Sequence, residues 1–282
     1  MEIICPLYNA SDFVKKLDGA LKRQKNVKIT KISYILTESK DNTKEILDSI
    51  SANYSIIKPE EFSHSLTREK VAMRSQADIV VFITQDIEIE SDNWLENLIK
   101  PIEKGEVVAS YSRQISKYNN IEKYTREKNY PENSRIKSSD DLEDLGLNTF
   151  FFSDASSATR TDIFRKLNGY DAKDFPTNED MYFAYKLITG GYKIKYCADS
   201  IVYHSHKFSM KQLYKRYYDT GVFFRQNKYL NNYGTNKSGT KLAKYILNRC
   251  IEEKNIKNLI EFLPNMAVRF LGMKIGSING RK

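Results

Sequence analysis

A chain of 282 residues with 40% hydrophobic residues can bury a substantial core, which argues against a globally disordered protein. Three widely spaced cysteines argue against a disulfide scaffold, and no run of about 18 apolar residues predicts a membrane-spanning helix. The net charge is +9, and residues 204–282 hold 16 Lys and Arg against 4 Asp and Glu, so the basic character belongs to this last part. The first ten residues lack the features of a secretory signal, which together with reduced thiols predicts a cytoplasmic protein.

The first 111 residues alternate short apolar segments with amphipathic ones, which predicts a β-α-β-α order. Residues 79–83 (IVVFI) are typical of a strand that is covered on both faces. The fold class that this order indicates is α/β, with a mostly parallel, doubly wound, Rossmann-like sheet. We expect strands over residues 3–5, 32–36, 79–83 and 107–111, and helices over residues 10–23, 41–50, 65–75 and 91–99.

The second half of the sequence begins with a polar stretch, residues 116–148, which we expect to form a variable excursion over the sheet. Apolar character then returns, and from residue 209 onward the pattern is helical with Lys and Arg between apolar stripes. The sequence therefore predicts an α/β domain over residues 1–207 and a basic, amphipathic helical region over residues 208–282. In the α/β domain we further expect an apolar segment over residues 150–152, a helix over residues 178–189, and strands over residues 192–197 and 201–203.

Ligands of a doubly wound sheet bind beyond the carboxyl ends of its strands, and two polar segments follow such ends in the first half. The turn Pro6-Leu7-Tyr8-Asn9 can place a ring and an amide beside a nucleotide base, or it is a proline turn with an asparagine helix cap. Asp86 leaves the buried strand in the run Thr84-Gln85-Asp86, where a carboxylate must be solvated, paired or bound to a metal. A divalent cation that bridges Asp86 and a diphosphate satisfies this requirement, and a helix-entry carboxylate is the alternative.

Three further segments contain candidate site residues. Asp180 begins a predicted helix, so it is either a helix cap or a general base that takes a proton from a hydroxyl. His204 and His206 point to one side of an extended segment, where they can bind a metal or contact phosphate. Arg68 lies near a helix start, and its roles are a diphosphate contact, a partner for Asp86, or a surface ion pair.

With these residues in order, the sequence resembles family 2 glycosyltransferases, and within them the bacterial rhamnosyltransferases that use dTDP-L-rhamnose. The resemblance covers roughly residues 1–225. A single motif of this kind is weak, whereas six in the same order at sensible spacing are strong. The motifs are Pro6/Tyr8/Asn9, Phe62/His64/Thr67/Arg68, Thr84/Gln85/Asp86, Arg113/Gln114, Glu179/Asp180/Met181 and Val202/His204/Ser205/His206.

The resemblance implies a GT-A fold with a C-terminal helical extension, and a bound Mg²⁺ or Mn²⁺. Asp86 is implied to replace the metal-binding aspartate of the usual D-x-D motif, and His204 or His206 to contact the metal or the diphosphate. Asp180 is the implied catalytic base, and Asp154 and Glu179 are the implied acceptor-side residues. Relatives often have one or two aspartates after the second strand that contact the base, where this chain has a glutamate at position 38. The implied donor-binding residues are Pro6, Tyr8, Asn9, Glu38, Arg68, Gln85, Arg113 and Gln114.

The activity that the resemblance implies is inverting transfer of L-rhamnose from dTDP-β-L-rhamnose to a hydroxyl of a glycan acceptor, in capsule or cell-wall polysaccharide synthesis. The alternatives are a UDP-sugar donor and an inactive relative that only binds. Acceptors in such pathways are commonly lipid-linked. The basic region is therefore expected to dock peripherally at the inner face of the cell membrane, or to pack on the α/β domain or on a second subunit of a homodimer.

Two other classes of protein fit the sequence less well. A nucleotidyltransferase should have a glycine-rich phosphate loop near its N-terminus, but the first glycine is Gly19, inside a predicted helix. A nucleic-acid-binding module needs base-contacting motifs that the basic region lacks, so no nucleic-acid partner is expected.

Overall fold

The computed structural model describes residues 1–279, apart from the side chains of residues 235–238; residues 280–282 of the predicted basic region lie outside the described part. Its strands, β1 to β8, are Glu2–Leu7, Lys31–Thr37, Tyr54–Ile57, Ile79–Ile83, Ala109–Ile115, Arg135–Lys137, Ser156–Arg160 and Ile194–Tyr203. Its α-helices, α1 to α11, are Val14–Lys22, Thr43–Ser49, His64–Ala72, Trp94–Glu103, Ile121–Asn129, Leu142–Leu145, Thr161–Lys166, Glu179–Thr189, Met210–Gln226, Thr235–Glu252 and Ile256–Asn279.

The eight strands form one sheet in the order β3-β2-β1-β4-β7-β5-β8-β6. β1 to β5 and β8 run in one direction, while β7 and the edge strand β6 are antiparallel to their neighbours. This mostly parallel sheet with helices confirms the predicted α/β fold class. Because β7 is reversed, the segment before it arrives at the edge of the sheet where β1, β4 and β5 end.

The core consists of two apolar layers, one on each face of the sheet. Successive residues of β4 point to opposite faces, so Phe82 packs with Phe164 of α7 while Val81 and Ile83 pack with Trp94 of α4. All five residues of β4 are buried, which explains its uninterrupted apolar sequence. The three cysteines are buried and free, as predicted.

The structure of the α/β domain differs from the prediction in several places, and β3 and α7 were not predicted. β7 (Ser-Ser-Ala-Thr-Arg) was missed because its residues are small and polar, yet it lies in the middle of the sheet, where the hydroxyls of Ser156 and Ser112 hydrogen-bond at 2.6 Å. Residues 116–148, expected as a variable excursion over the sheet, contain α5 and α6 and also contribute the edge strand β6 to the sheet itself. The strands expected over residues 192–197 and 201–203 are one strand, β8, with an irregular register opposite Ser112 and Arg113.

The apolar stripe of α10 packs on the α/β domain. Ile246 and Cys250 are fully buried and form a cluster with Ile121 and Tyr124 of α5 and with Phe262 of α11. The apolar stripes of the basic region were expected either to dock at the membrane or to pack on protein. The stripe of α10 packs on the α/β domain.

α9 and α11 cross with their backbones in contact at Gly221, Gly272 and Gly276, which we call the glycine seam. A methyl group at Gly272 would lie 2.7 Å from the carbonyl oxygen of Tyr214, and the other two glycines are as tightly enclosed by backbone atoms. Only glycine permits this approach. Within residues 1–279, no helix combines the length and apolar character needed to cross a bilayer.

Candidate active site

A cleft of about 870 Å³ opens beyond the carboxyl ends of β1, β4, β5 and β8, and α5, the start of α8 and α9 form its walls. This is the location that the sheet topology predicts for a ligand. Asn9, Glu38 and Arg113 do not line it. The predicted site residues that do line it are Pro6, Tyr8, Arg68, Gln85, Asp86, Gln114, Asp154, Glu179, Asp180, His204 and His206.

Asp86, His204 and His206 form a cluster at the floor of the cleft. The Asp86 Oδ2 atom lies 3.4 Å from His204 Nε2 and 3.5 Å from His206 Nδ1, and these potential ligand atoms all lie within 4.8 Å of one another. One carboxylate oxygen and two imidazole nitrogens converging in this way fit a divalent cation that keeps further positions for a substrate.

The electrostatics of the cluster favour the protonation states that a cation needs. Burial opposes ionisation of Asp86, but a protonated His204 donates a hydrogen bond to the carboxylate and places a positive charge beside it, so the pKa of Asp86 lies well below its usual range. Burial and the neighbouring His204 lower the pKa of His206 to about 4, and burial also lowers the pKa of His204. At neutral pH the carboxylate is therefore ionised and both imidazoles are neutral.

A buried chain of hydrogen bonds fixes the tautomer of His204. The Arg126 guanidinium can only donate, and it donates to Gln114 Oε1, which fixes the orientation of the Gln114 amide. His204 Nδ1 lies 2.9 Å from the same oxygen and must donate to it, while Gln114 Nε2 donates to Ser153 Oγ at 2.8 Å. The neutral His204 ring therefore presents the lone pair of Nε2 to the cluster, as metal-binding histidines require.

Asp180 lies in the first turn of α8 and also lines the cleft. Its Oδ2 accepts a hydrogen bond of 3.3 Å from the backbone N–H of Asp154. Burial, followed by the charges of Glu179 and Asp154, raises the pKa of Asp180 well above its usual value. The raised pKa makes the Asp180 carboxylate more basic than a solvated one, which suits a general base.

Arg68 supports this wall and does not pair with Asp86. Its guanidinium forms a buried ion pair of 3.1 Å with Glu179 and donates to the carbonyl oxygen of His64 at 2.8 Å. Asp154 is equally buried and accepts hydrogen bonds of 2.6 Å from Ser157 Oγ and Tyr170 Oη. Glu179 and Asp154 therefore have protein partners, whereas the Asp180 side chain accepts only backbone N–H groups among the contacts of the described residues.

The loop after β1 is fastened to the end of β4. Gln85 accepts a hydrogen bond from the backbone N–H of Tyr8 and donates one to its carbonyl oxygen. Asn9 adopts a left-handed conformation with φ of 46° and accepts from the backbone N–H of Lys40, so it shapes the loop beside the cleft. The Tyr8 ring is 49% exposed and available to a ligand.

Besides Asn9, two predicted donor contacts, Glu38 and Arg113, lie outside the lining of the cleft. Glu38 is exposed at the end of β2, where its backbone N–H donates to the carbonyl oxygen of Ile57. Arg113 pairs with the exposed Glu132 at 3.2 Å.

Sequence reasoning missed two arginines of the cleft, Arg126 on α5 and Arg216 on α9. Both lower the pKa of His204, and the exposed Arg216 guanidinium lies 5.6 Å from the centre of the Phe208 ring. The helical spacing of Ile121, Tyr124 and Thr125 inside the polar stretch is the signal that would have placed Arg126 on a packed helix.

Comparison with known proteins identifies the family and agrees with the fold. A family model described as Glycosyl transferase family 2 matches residues 2–167. The O-antigen chain rhamnosyltransferase WbaN of Salmonella anatum is 32% identical, and the O-antigen chain rhamnosyltransferase RfbN of Salmonella typhimurium is 31% identical. Each similarity covers 97% of this chain and 88% of the relative.

Two solved structures share the fold at low sequence identity. The mannosyltransferase PcManGT from Pyrobaculum calidifontis, in complex with GDP-Man and Mn²⁺, gives a TM-score of 0.65 at 13% identity, covering 100% of this chain and 87% of that one. S. aureus TarS 1–349, in complex with UDP-GlcNAc, gives 0.58 at 14% identity, covering 98% and 90%. The fold, the family model and the two relatives agree: this chain belongs to the family 2 glycosyltransferases, close to the rhamnosyltransferases, and has a GT-A fold.

Proposed function

We propose that this glycosyltransferase moves L-rhamnose from dTDP-β-L-rhamnose to a hydroxyl of a lipid-linked glycan, with inversion at the anomeric carbon, during synthesis of capsule or cell-wall polysaccharide. The observation that supports this chemistry best is that Asp180 and the cluster of Asp86, His204 and His206 line the same cleft. The two O-antigen rhamnosyltransferases that are 31–32% identical support the donor sugar.

Asp180 is the proposed base. Its raised pKa and its position on the cleft wall suit removal of the proton from the acceptor hydroxyl as the oxygen attacks the anomeric carbon. The bond to the diphosphate oxygen breaks on the opposite side of that carbon. A single displacement of this kind inverts the configuration, so a β-linked donor yields an α-rhamnoside.

Asp86, His204 and His206 are the residues that would hold Mg²⁺ or Mn²⁺. A cation bound there would neutralise charge on the departing diphosphate. This would stabilise the transition state by roughly several kcal/mol. Arg126 and Arg216 add positive potential to the same side of the cleft, which favours an anionic donor.

The remaining predicted contacts divide between the two ends of the cleft. Pro6, Tyr8 and Gln85 are the proposed contacts of the nucleotide, with Asn9 shaping their loop. Asp154 and Glu179 belong to the acceptor side, where they hold the wall around Asp180. The donor-binding roles of Glu38, Arg68 and Arg113 are carried over from the family. Glu38 and Arg113 are proposed to reach the donor from outside the cleft lining. Arg68 is proposed to act indirectly, through its ion pair with Glu179.

The enzyme is proposed to act in the cytoplasm, peripheral to the inner face of the cell membrane, where a lipid-linked acceptor is accessible. The basic helices of the C-terminal region favour this location because anionic lipids attract them. A homodimer through the same helices is the alternative use of this surface.

A UDP-sugar is the second candidate donor. The glutamate at position 38, where relatives have base-contacting aspartates, is the observation that favours considering it, since this residue adjoins the proposed nucleotide end. TarS, which shares the fold, is described in complex with UDP-GlcNAc.

The test is release of nucleoside diphosphate from a panel of sugar nucleotides with a lipid-linked acceptor, in Mg²⁺ or Mn²⁺ and in EDTA. Release from dTDP-L-rhamnose that EDTA abolishes, and that Asp86→Ala and Asp180→Asn each remove, is the expected result. Asp162→Asn is the matched control, because this exposed aspartate pairs with Arg160 away from the cleft. Release from UDP-sugars alone would overturn the donor, and no release from any donor would overturn the activity.

A further inference from the structure

One helix of the C-terminal region has an apolar face that is largely exposed in the described chain. Along α11, six large apolar side chains are 50–74% exposed. With about 100° per residue, they fall together with Ala267 and Lys274 within an arc of about 100° on one side of the helix. The residues of this α11 arc are Ile256, Ile260, Leu263, Phe270, Leu271 and Ile278.

The opposite side of α11 packs against the rest of the protein. Asn258, Phe262 and Arg269 are buried there, together with the two glycines of the seam that contact α9. Packing within the described residues therefore explains one face of α11 and leaves the α11 arc mostly exposed. Exposed apolar patches of this extent mark sites of protein or membrane interaction.

The charges of α11 favour one kind of partner. Four charged residues lie on this helix, and Glu261 and Arg269 face away from the arc. Lys274 lies within the arc and Lys257 at its border, so the charges that a docked surface meets are positive. An anionic surface complements them.

A second copy of the chain fits this surface less well. Two arcs placed face to face would each bring a lysine into an apolar contact, and lysine is depleted from the centres of protein interfaces. They would also bring together two regions that each hold 16 Lys and Arg against 4 Asp and Glu. At a lipid surface the same lysine can extend its stem along apolar atoms and keep its charge among the headgroups.

We infer that the α11 arc is the membrane-docking surface of the enzyme, with Leu263 and Phe270 in the acyl boundary of an anionic bilayer and Lys257 and Lys274 at its headgroups. This inference rests on the proposed function for its purpose, since a lipid-linked acceptor lies at that surface. It also specifies which helix binds, because the stripe of α10 is buried against α5.

The position of the arc relative to the cleft suits such an acceptor. α9 lies between them: Arg216 and Thr220 line the cleft, while Tyr214 and Tyr218 contact α11 at the seam. The arc faces away from α9, so the thickness of two packed helices, about 20 Å, separates the docked surface from the cleft. A docked enzyme therefore keeps its cleft within about this distance of the headgroups, where a lipid-linked glycan extends.

Co-sedimentation of the full chain with vesicles tests the inference without any sugar nucleotide. Vesicles of phosphatidylglycerol and phosphatidylethanolamine are compared with vesicles of phosphatidylcholine alone. Leu263→Ser combined with Phe270→Ser is expected to reduce partitioning onto the anionic vesicles by about tenfold or more, since two inserted side chains are removed. Ile56→Ser is the control, because Ile56 is also exposed but lies on the edge strand β3.

Each outcome decides the inference. Weak binding to phosphatidylcholine, and loss of anionic-vesicle binding on Lys257→Glu plus Lys274→Glu, support it. Unchanged vesicle binding of the arc variant, or no binding of the wild-type chain, overturns it. A wild-type dimer in sedimentation that the arc variant abolishes would identify the arc as an interface between copies and also overturn it.

Failure of the proposed function gives a different result. The arc variant should release nucleotide normally with a water-soluble acceptor, and Asp180→Asn should bind vesicles as wild type does. Vesicle binding without any nucleotide release would leave the docking surface standing and remove the proposed reaction.

Discussion

Replacing Gln114 by methionine tests whether the chain from Arg126 to His204 prepares the metal cluster. Methionine has a similar length but lacks the oxygen that accepts from the Arg126 guanidinium and from His204 Nδ1. Two buried donors then lose an acceptor, at about 1–3 kcal/mol each. Arg126 keeps its ion pair of 3.1 Å with Glu122. We therefore expect the free energy of unfolding to fall by about 2–4 kcal/mol.

The same substitution should weaken metal binding. Without the acceptor at position 114, no hydrogen bond stabilises the tautomer of His204 that carries its proton on Nδ1. The alternative tautomer carries the proton on Nε2 and directs an N–H toward Asp86. Loss of such a supporting partner typically costs about 10–100-fold in metal affinity. Titration of Mn²⁺ in the presence of dTDP, followed by calorimetry, measures this loss independently of catalysis.

Gln114→Glu is the matched variant. A carboxylate still accepts from both Arg126 and His204, so Mn²⁺ binding should be retained while Gln114→Met loses it. A folded Gln114→Met protein that binds Mn²⁺ as tightly as wild type would refute the role assigned to this hydrogen-bond chain.

We make four further predictions, three for the cleft wall around Asp180 and one for the glycine seam. Asp180→Asn should lower kcat by about 10²–10⁴-fold with little change in thermal stability, measured by nucleotide release and by thermal unfolding. Glu179→Gln removes a negative charge that raises the pKa of Asp180, so the acid limb of the kcat/KM profile should move to lower pH; a move to higher pH would contradict the assignment. Arg68→Met should cost about 3–5 kcal/mol in urea unfolding, because it leaves Glu179 as a buried unpaired charge. Gly272→Ala should destabilise by about 1–3 kcal/mol in the same assay despite its better helix propensity, because the methyl group meets backbone of α9.

The sequence predicts the parts of the site whose neighbours are local. β4 is recognisable because both of its faces are apolar, and the acidic residue that leaves it, Asp86, must then lie at the edge of the sheet. His204 and His206 follow from the same reasoning at the end of β8. The structure confirms the sheet that brings these ends together, and it places all three side chains in one cluster.

Other parts depend on partners that are distant in the sequence. The small polar residues of β7 show no alternation of apolar and polar side chains. The strand is stabilised by its pairing with β4 and β5, which are distant in the sequence. Arg68 pairs with a residue 111 positions away, and nothing near it in the sequence indicates Glu179 over Asp86. Arg126 was missed because the surrounding polar composition resembles a loop, although α5 packs against α10. These failures share one cause: the partner is set by topology rather than by sequence proximity.

The glycine seam also bears on how such enzymes can be recombined. Because α9 meets α11 through backbone atoms, its position depends on the helix behind it, while it lends residues such as Arg216 and Thr220 to the cleft. The nucleotide end of the cleft is built from strands of the sheet and their loops instead. When segments are exchanged between relatives, we expect the cleft wall that α9 forms to be preserved only if α9, α10 and α11 are exchanged together. A chimera joined between residues 207 and 209 takes both sides of the seam from one parent and leaves the cluster of Asp86, His204 and His206, together with the wall around Asp180, to the other.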